Sequence, residues 1–370
     1  MLDLDLEQFW KDEETSHEEN CFSPRAAQVA LGIRMSDECV FTELGEPGNP
    51  WGHTPRERKI ELNKRYNDKA EKIVGRRLLS ESYPTEEERF PQIRQIGEVF
   101  GGRYTFNGQA VWLEGSCSTP DELEKTLAKA EKTDLRDFIL PSNWESEKKR
   151  LYEQYGKKPP LWRSVRGPVT LAMSIYGVEN LIYLIYDAPE LACRFSKAIT
   201  DVILGYVRIM NREAGYTQEN APHGFGFADD NCCLLTAEMY HQFGYPVLKT
   251  VFASCSPDPE DNRYQHSDSA MGHLLPLLGE LNLTGCNFGP TLTVEEIRRH
   301  MPHTRIDGQL APFTFMNNEE KTILAEVERD CEMAKEKRGL NLTTAGSINN
   351  GSLLTSMRTV MYGIQKYGRY

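Results

Sequence analysis

The sequence predicts an α/β protein, a (β/α)8 TIM barrel with an N-terminal helical and hairpin extension. Three observations lead there. From residue 160 onward, short apolar runs alternate with amphipathic helical segments about six times, with no helix-only block between them. Such alternation makes a parallel sheet covered by helices. Nearly every apolar run ends in polar or ionisable residues, at the strand ends where barrels carry their chemistry. No G-x-G-x-x-G or Walker-type loop supports a doubly wound open sheet, the alternative architecture.

Taken in order, residues 1–90 read as an extension packing on the barrel and 91–370 as the barrel itself. Within the extension, residues 54–79 form a long charged helix opened by Thr54-Pro55. Tyr104/Phe106 and Val111/Leu113 alternate around Asn107-Gly108, a hairpin signal. Residues 118–132 form a capped helix with Asp121 and Glu122 in its first turn. "PLWRSVRGP" then leads to a turn. The next helix aligns Leu191, Phe195, Ile199, Val202, Tyr206 and Met210 on one face and closes at Gly215. Next come "HGFGFADDN" with helix 236–254, "RYQHSDS" with helix 270–279, and "LTGCNFGP" with helix 292–300. "TRIDGQLAP" with helix 318–337 and "LNLTTAGSINNG" with helix 352–364 complete the alternation. One or two further strands from the N-terminal third would close the barrel.

Composition bounds the function. The chain has 370 residues, a net charge of −12 and 39% hydrophobic content. It is long enough for a large core and too acidic for nucleic acid or an anionic membrane as main partner. No apolar run reaches membrane-spanning length. The nine cysteines include no C-x-x-C pair, so they read as reduced thiols of a cytoplasmic protein. Cys193, Cys232 and Cys233 read as packing residues, and the aromatics at 176, 183 and 186 as core.

The strand-end loops supply the candidate site residues. They are Arg163 and Arg166, then Asp229, Asp230 and Asn231, then His266 and Asp268, then Asn287, then Asp307 and Gln309, and finally Ser347 and Asn349. His266 and Asp268 suit half a metal site or half an acid–base pair, unless Asp268 or Ser269 simply caps a helix. Asp229-Asp230 suits a carboxyl pair in which repulsion raises one pKa so that it can protonate a leaving group. Alternatively one caps the following helix and the other pairs with Arg163 or Arg166. The phase of Phe225, Phe227 and Asp229 turns Asp229 toward the helices and leaves Asp230 for the pocket.

The segment "RGPVTLAMSIYGVEN" resembles the G-P-x-T-L-A segment of the uroporphyrinogen decarboxylase superfamily. "FADDNCCLLTAEMY" is similar to that family's acidic strand end followed by L-[ST]-P-E-x-[YF], and "YQHSDSAMG" to its H-x-[CD]-G loop. "IDGQLAPF" and "TTAGSINNGSLLTSM" resemble its late turn and closing strand, collinear over roughly residues 90–366. The family implies the barrel and two kinds of chemistry: cofactor-free decarboxylation of uroporphyrinogen, or corrinoid-dependent methyl transfer, usually with zinc. The arginine-bearing P-x-W-x-M-R-Q-A-G-R segment that holds the tetrapyrrole carboxylates is absent. So is the sulfur-rich zinc set of the thiol-methylating branch, with Asp268 at its H-x-C cysteine and the later cysteine falling near Ser347.

The resemblance therefore implies a demethylase-type methyltransferase. It moves a methyl group from a small, methoxylated aromatic donor to the cobalt(I) of a corrinoid protein supplied in trans, since no D-x-H-x-x-G carrier motif is present. The expected catalytic residues are Asp230, His266 and Asp268, with the remaining strand-end residues binding substrate. Any zinc is held by His266 and Asp268, with Cys286, Asp229 or Asp230 open as third ligand. A harder ligand set suits polarisation of an ether oxygen. Alternatives are a cofactor-independent decarboxylase, with Arg163 and Arg166 holding the carboxylate, and a non-catalytic small-molecule binder. A homodimer is left open.

Overall fold

The structure, a computed structural model, describes residues 2–108 and 110–370. Its strands are β1 (Ala30–Leu31), β2 (Arg103–Phe106), β3 (Val111–Glu114), β4 (Ser164–Arg166), β5 (Phe225–Ala228), β6 (Arg263–Ser267), β7 (Gly285–Phe288), β8 (Arg305–Leu310) and β9 (Leu340–Thr344). Seven belong to one sheet in the order β1-β9-β8-β7-β6-β5-β4, and β2 and β3 pair separately as an antiparallel hairpin. The expected hairpin is therefore present, although Gln109 in its turn lies outside the described residues. Among the described residues no single helix is long and apolar enough to cross a membrane.

Contacts divide the chain into two compact units. The first gathers residues up to Tyr83, Gln265–Leu275 and Asn282–Tyr370. In it β7, β8 and β9 run parallel, and β1 adds to β9 through the Ala30–Asn341 and Leu31–Leu342 registers. Through β1 the N-terminal segment thus enters the sheet itself. A two-residue strand is too short to leave a period in the sequence. Helix Leu354–Tyr367 covers this part with a stripe of Leu354, Met357, Val360, Met361 and Ile364, spaced to keep one face inward. Helix Arg56–Val74 stops at Gly75, whose φ of 79° suits a left-handed terminus, short of the expected residue 79. Where a helix over 270–279 is expected, there is only a tight turn at Gly272–Leu274 and one helical turn to Gly279.

The second unit holds Pro84–Tyr264 and Pro276–Leu281. Thr119 and Glu122 close a reciprocal capping box on helix Pro120–Lys132, as the sequence predicts. The long helix Pro189–Glu213 buries Phe195, Ile199, Val202, Tyr206 and Met210 on its expected face. Alternation along β5 sets the geometry that matters later. Phe225 packs on Trp162 (5.8 Å between centroids) and Phe227 on Phe252 of helix Ala237–Cys255 (5.4 Å), so both face the helix layer. Gly226 and Ala228 therefore face the opposite way. Ser164 and Arg166 of β4 register with Gly226 and Ala228, which turns Arg166 to that same inner face. Arg163, one residue before β4, falls on the helix side.

Two core expectations are corrected here. Tyr176 is buried, but Tyr183 and Tyr186 are 64% and 80% exposed. Helix Val178–Asp187 buries only its Leu181, Leu184 and Ile185 stripe, and the two tyrosines lie off it. Cys193 is likewise exposed, off the buried face of its helix, whereas Cys232 is buried.

Candidate active site

The turn after β5 is built on a buried carboxylate. Helix Pro168–Tyr176 begins at Gly167, a cap residue with no side chain to accept its first amides. Asp229 does this from the neighbouring strand end, accepting from Thr170 N (2.7 Å) and Val169 N (3.4 Å). The approach is so close that a Cβ on Gly167 would lie 2.1 Å from Asp229 Cβ. Thr170 Oγ1 in turn accepts from Asn231 N at 3.0 Å. The R-G-P-x-T and A-D-D-N stretches are thus two halves of one clamp. Asp229 has no exposed surface, and burial, outweighing the amides that favour its ionised form, pushes its carboxyl up to about 6. This corrects its assignment as a substrate contact, and it caps helix 168–176, not the helix that follows. Thr236 caps that one. Asp230 and Asn231 are half-buried on the same turn.

Arg163 and Arg166 do not act together. Arg163 sits at the N-terminal start of β4, away from the strand-end loops, and donates to Pro222 O, Trp162 O and Asn211 Oδ1. That removes it from the expected site. Arg166 ends β4 on the inner face, and its side chain makes no hydrogen bond or ion pair among the described residues. The Tyr104 phenol feels its charge.

The turn after β6 is organised differently. Tyr264 shares the inner face with Gly226, whose built Cβ would lie 3.4 Å from Tyr264 Cβ, and alternation places His266 on that face too. His266 Nδ1 is 2.8 Å from Asn287 Oδ1. The orientation of Asn287 is fixed because its Nδ2 donates to the carbonyls of Thr344 (3.0 Å) and Asp307. A carboxamide oxygen only accepts, so His266 Nδ1 carries the proton. Nε2 is then the lone-pair nitrogen of the neutral ring, and it lies 3.2 Å from Asp268 Oδ1. Two electron-rich atoms that close call for a proton or a cation between them. The ring is either imidazolium paired with the carboxylate, or a metal ligand held from behind by a hydrogen bond. Asp268 reaches its position because two glycines make room. A Cβ on Gly346 would meet its Oδ1 at 2.5 Å and one on Gly289 its main-chain oxygen at 2.4 Å.

The remaining expected residues divide. Asn287 is the hub just described. Asp307 is held by Arg305 in a two-point ion pair (2.8 and 3.0 Å) and by Asn341, which corrects its assignment as a substrate contact. Gln309 is buried and donates to the carbonyls of Gly289 and Leu292, bracing the loop under Asp268. It too is corrected to support. Ser347 is exposed beside Gly346, and Asn349 is half-buried with its carbonyl accepting from Cys39 Sγ. Cys286 is corrected as a third metal ligand. It is fully buried, its thiol is pushed up by that burial, and it alternates with Asn287. Asp229, with its amide partners, is removed as well, leaving Asp230 of the candidates read from the sequence. The sequence reading missed Thr170, Gly167, Gly289 and Gly346, whose contacts are long-range. A glycine within two residues of the ends of β4, β7 and β9 is the visible trace.

The imidazole nitrogen and carboxylate oxygen of His266 and Asp268 fit a zinc-type ion through N and O donors, with no thiolate. No curated protein sequence matches the chain. A methyltransferase from Methanosarcina mazei shares the fold, with a TM-score of 0.55 and 15% identity over 92% of this chain and 94% of that one. Residues 126–361 match the model of the family described as uroporphyrinogen decarboxylase (URO-D). With the barrel alternation and the clamp formed by its shared motifs, this match shows that the chain belongs to the uroporphyrinogen decarboxylase family.

Proposed function

We propose that the chain is a demethylase-type methyltransferase, taking the methyl group of a small methoxylated aromatic donor for a corrinoid carried by a separate protein. The observation that carries this reading is the His266 ring, anchored through Nδ1 to Asn287 with Nε2 turned to Asp268. Removing a methyl group from an ether leaves charge on the departing oxygen, and a preorganised electrophile there lowers the barrier most. His266 and Asp268 would hold a zinc-type ion, which when bound supplies a Lewis acid for that oxygen. Asp230, half-buried at the end of β5, is the carboxyl that delivers a proton to the departing oxygen. Arg166, inward and without a counter-charge, holds an anionic group on the donor ring, which favours a methoxybenzoate over a neutral ether. The M. mazei methyltransferase supports methyl transfer by its fold alone.

The same unpaired Arg166 favours the second reading, a cofactor-free decarboxylase, because a carboxylate is what it would bind. One experiment separates them. The chain is mixed with cob(I)alamin or a corrinoid protein and a panel of methoxybenzoates, and the absorbance of methylated corrinoid is followed. Methylation from at least one donor is expected. Carbon dioxide release from a carboxylated aromatic, with no corrinoid methylated by any donor, overturns the methyltransferase in favour of the decarboxylase.

A further inference from the structure

Within the second unit, a hollow of about 440 Å³ opens at the N-terminal start of β4. Its walls include Arg163, Arg208, Asn211, Arg212, Tyr216 and Cys255, and neither Asp nor Glu lines it. That is unusual in a chain whose 55 acidic residues outnumber 43 basic ones. We propose that this hollow binds a phosphomonoester bearing a small organic group, at a site separate from the strand-end loops.

The charge distribution points to an anion. Arg163 is half-buried, and every hydrogen bond its guanidinium makes among the described residues goes to a neutral oxygen: Pro222 O, Trp162 O and Asn211 Oδ1. A guanidinium partly withdrawn from water without a carboxylate is costly unless an anion joins it. Burial lowers its pKa, and only Cys255 and Tyr216 oppose that. Arg208 and Arg212 stand one turn apart on helix Pro189–Glu213, where like charges repel. Neither side chain makes a hydrogen bond or ion pair among the described residues. At the rim, Asp258 and Asp261 lie 3.4 and 3.1 Å from His223 Nδ1.

The geometry narrows the ligand class. Three arginines line the one hollow, the half-buried Arg163 and the exposed Arg208 and Arg212, and several guanidinium groups suit the three terminal oxygens of a phosphate better than the two of a carboxylate. Leu204, Val207 and Ala221 give the hollow an apolar flank, and Tyr216 an aromatic one, for the organic group. The volume lies in the range of small-ligand pockets.

Calorimetry on the intact chain tests this with ribose 5-phosphate, ribose and inorganic phosphate as probes. Ribose 5-phosphate is expected to bind, inorganic phosphate to bind more weakly, and ribose not at all. Raising the salt should weaken binding. Arg208→Gln/Arg212→Gln should lose at least about tenfold in affinity, with melting temperature and basal turnover unchanged. No heat from ribose 5-phosphate at millimolar concentration overturns the proposal, as does equal binding by the double variant. Inorganic phosphate binding as tightly as the ester overturns the organic half of it.

Discussion

The ends of β5 and β6 both close on an aspartate, and the structure gives the two carboxylates opposite surroundings. Asp229 continues the phase of Phe225 and Phe227, so its carboxylate turns to the helix layer and meets the amides of Val169 and Thr170. Asp268 continues the phase of Tyr264 and His266 instead, and stays half-exposed beside the His266 ring. The buried partners of β6, Gln265 and Ser267, take the other face. An acid at a strand end is thus assigned by parity. In phase with the large apolar side chains, it serves the fold, and out of phase it faces the barrel interior.

The sharpest way to break this comparison is to remove the groups on the functional side. His266→Ala should cut turnover by about 10²–10⁴-fold, the scale of a lost acid–base group, with little change in melting temperature. Asp230→Asn should fall in the same range if it is the proton donor. Steady-state kinetics beside thermal melts checks both. Full activity in either variant removes that residue from the mechanism, and a large loss of stability in both would place them with Asp229.

Asp229 gives the converse test. Its folded carboxyl titrates near 6 against an ordinary 3.8, so between those values the folded chain holds a proton that the unfolded chain has lost. The stability it confers is present below about pH 4 and lost as pH rises through 6, by up to about 3 kcal/mol. Asp229→Asn removes the titration and keeps one amide acceptor. Its stability relative to the unsubstituted chain should therefore rise between pH 4 and 7, with turnover nearly unchanged. Asp229→Ala leaves two amides orphaned and should destabilise by about 1–3 kcal/mol at every pH. Denaturant titrations across that range decide it. Parallel curves for the Asn variant and the parent would show that the carboxyl titrates normally.

Much of this was legible in the sequence, for reasons visible in particular residues. The stripe from Phe195 to Met210, the Thr119–Glu122 box and the phase of Phe225 and Phe227 are local, and local patterns survive in a linear string. β1 was hidden because two residues carry no period. Asp307 and Gln309 looked like site residues because a polar strand end looks alike whether it faces a ligand or an ion pair. Only the Arg305 and Asn341 contacts tell them apart. The hub role of Asn287 was hidden because its partners stand 20, 21 and 57 residues away in sequence.

That hub offers the smallest and most specific test. The Asn287 carboxamide is engaged by the His266 ring and by the carbonyls of Asp307 and Thr344, so its effect on turnover should pass through the His266 ring. Asn287→Ala removes the acceptor that holds the proton on Nδ1, releasing Nε2 from its assigned state, and should lower kcat by about 10–100-fold, the usual cost of losing such a support. It also strands the carbonyls of Asp307 and Thr344, so a fall in stability alone proves nothing. Two readouts separate positioning from scaffolding. Nitrogen NMR of the imidazole should show Nδ1–H in the parent chain and a tautomer mixture in the Ala variant. Asn287→Asp keeps an acceptor for Nδ1–H while giving up both carbonyl bonds, so kcat should recover although stability stays reduced. A parent ring carrying its proton on Nε2, or a kcat that tracks stability through both variants, would leave Asn287 a packing residue and remove the main support for the assigned geometry of His266.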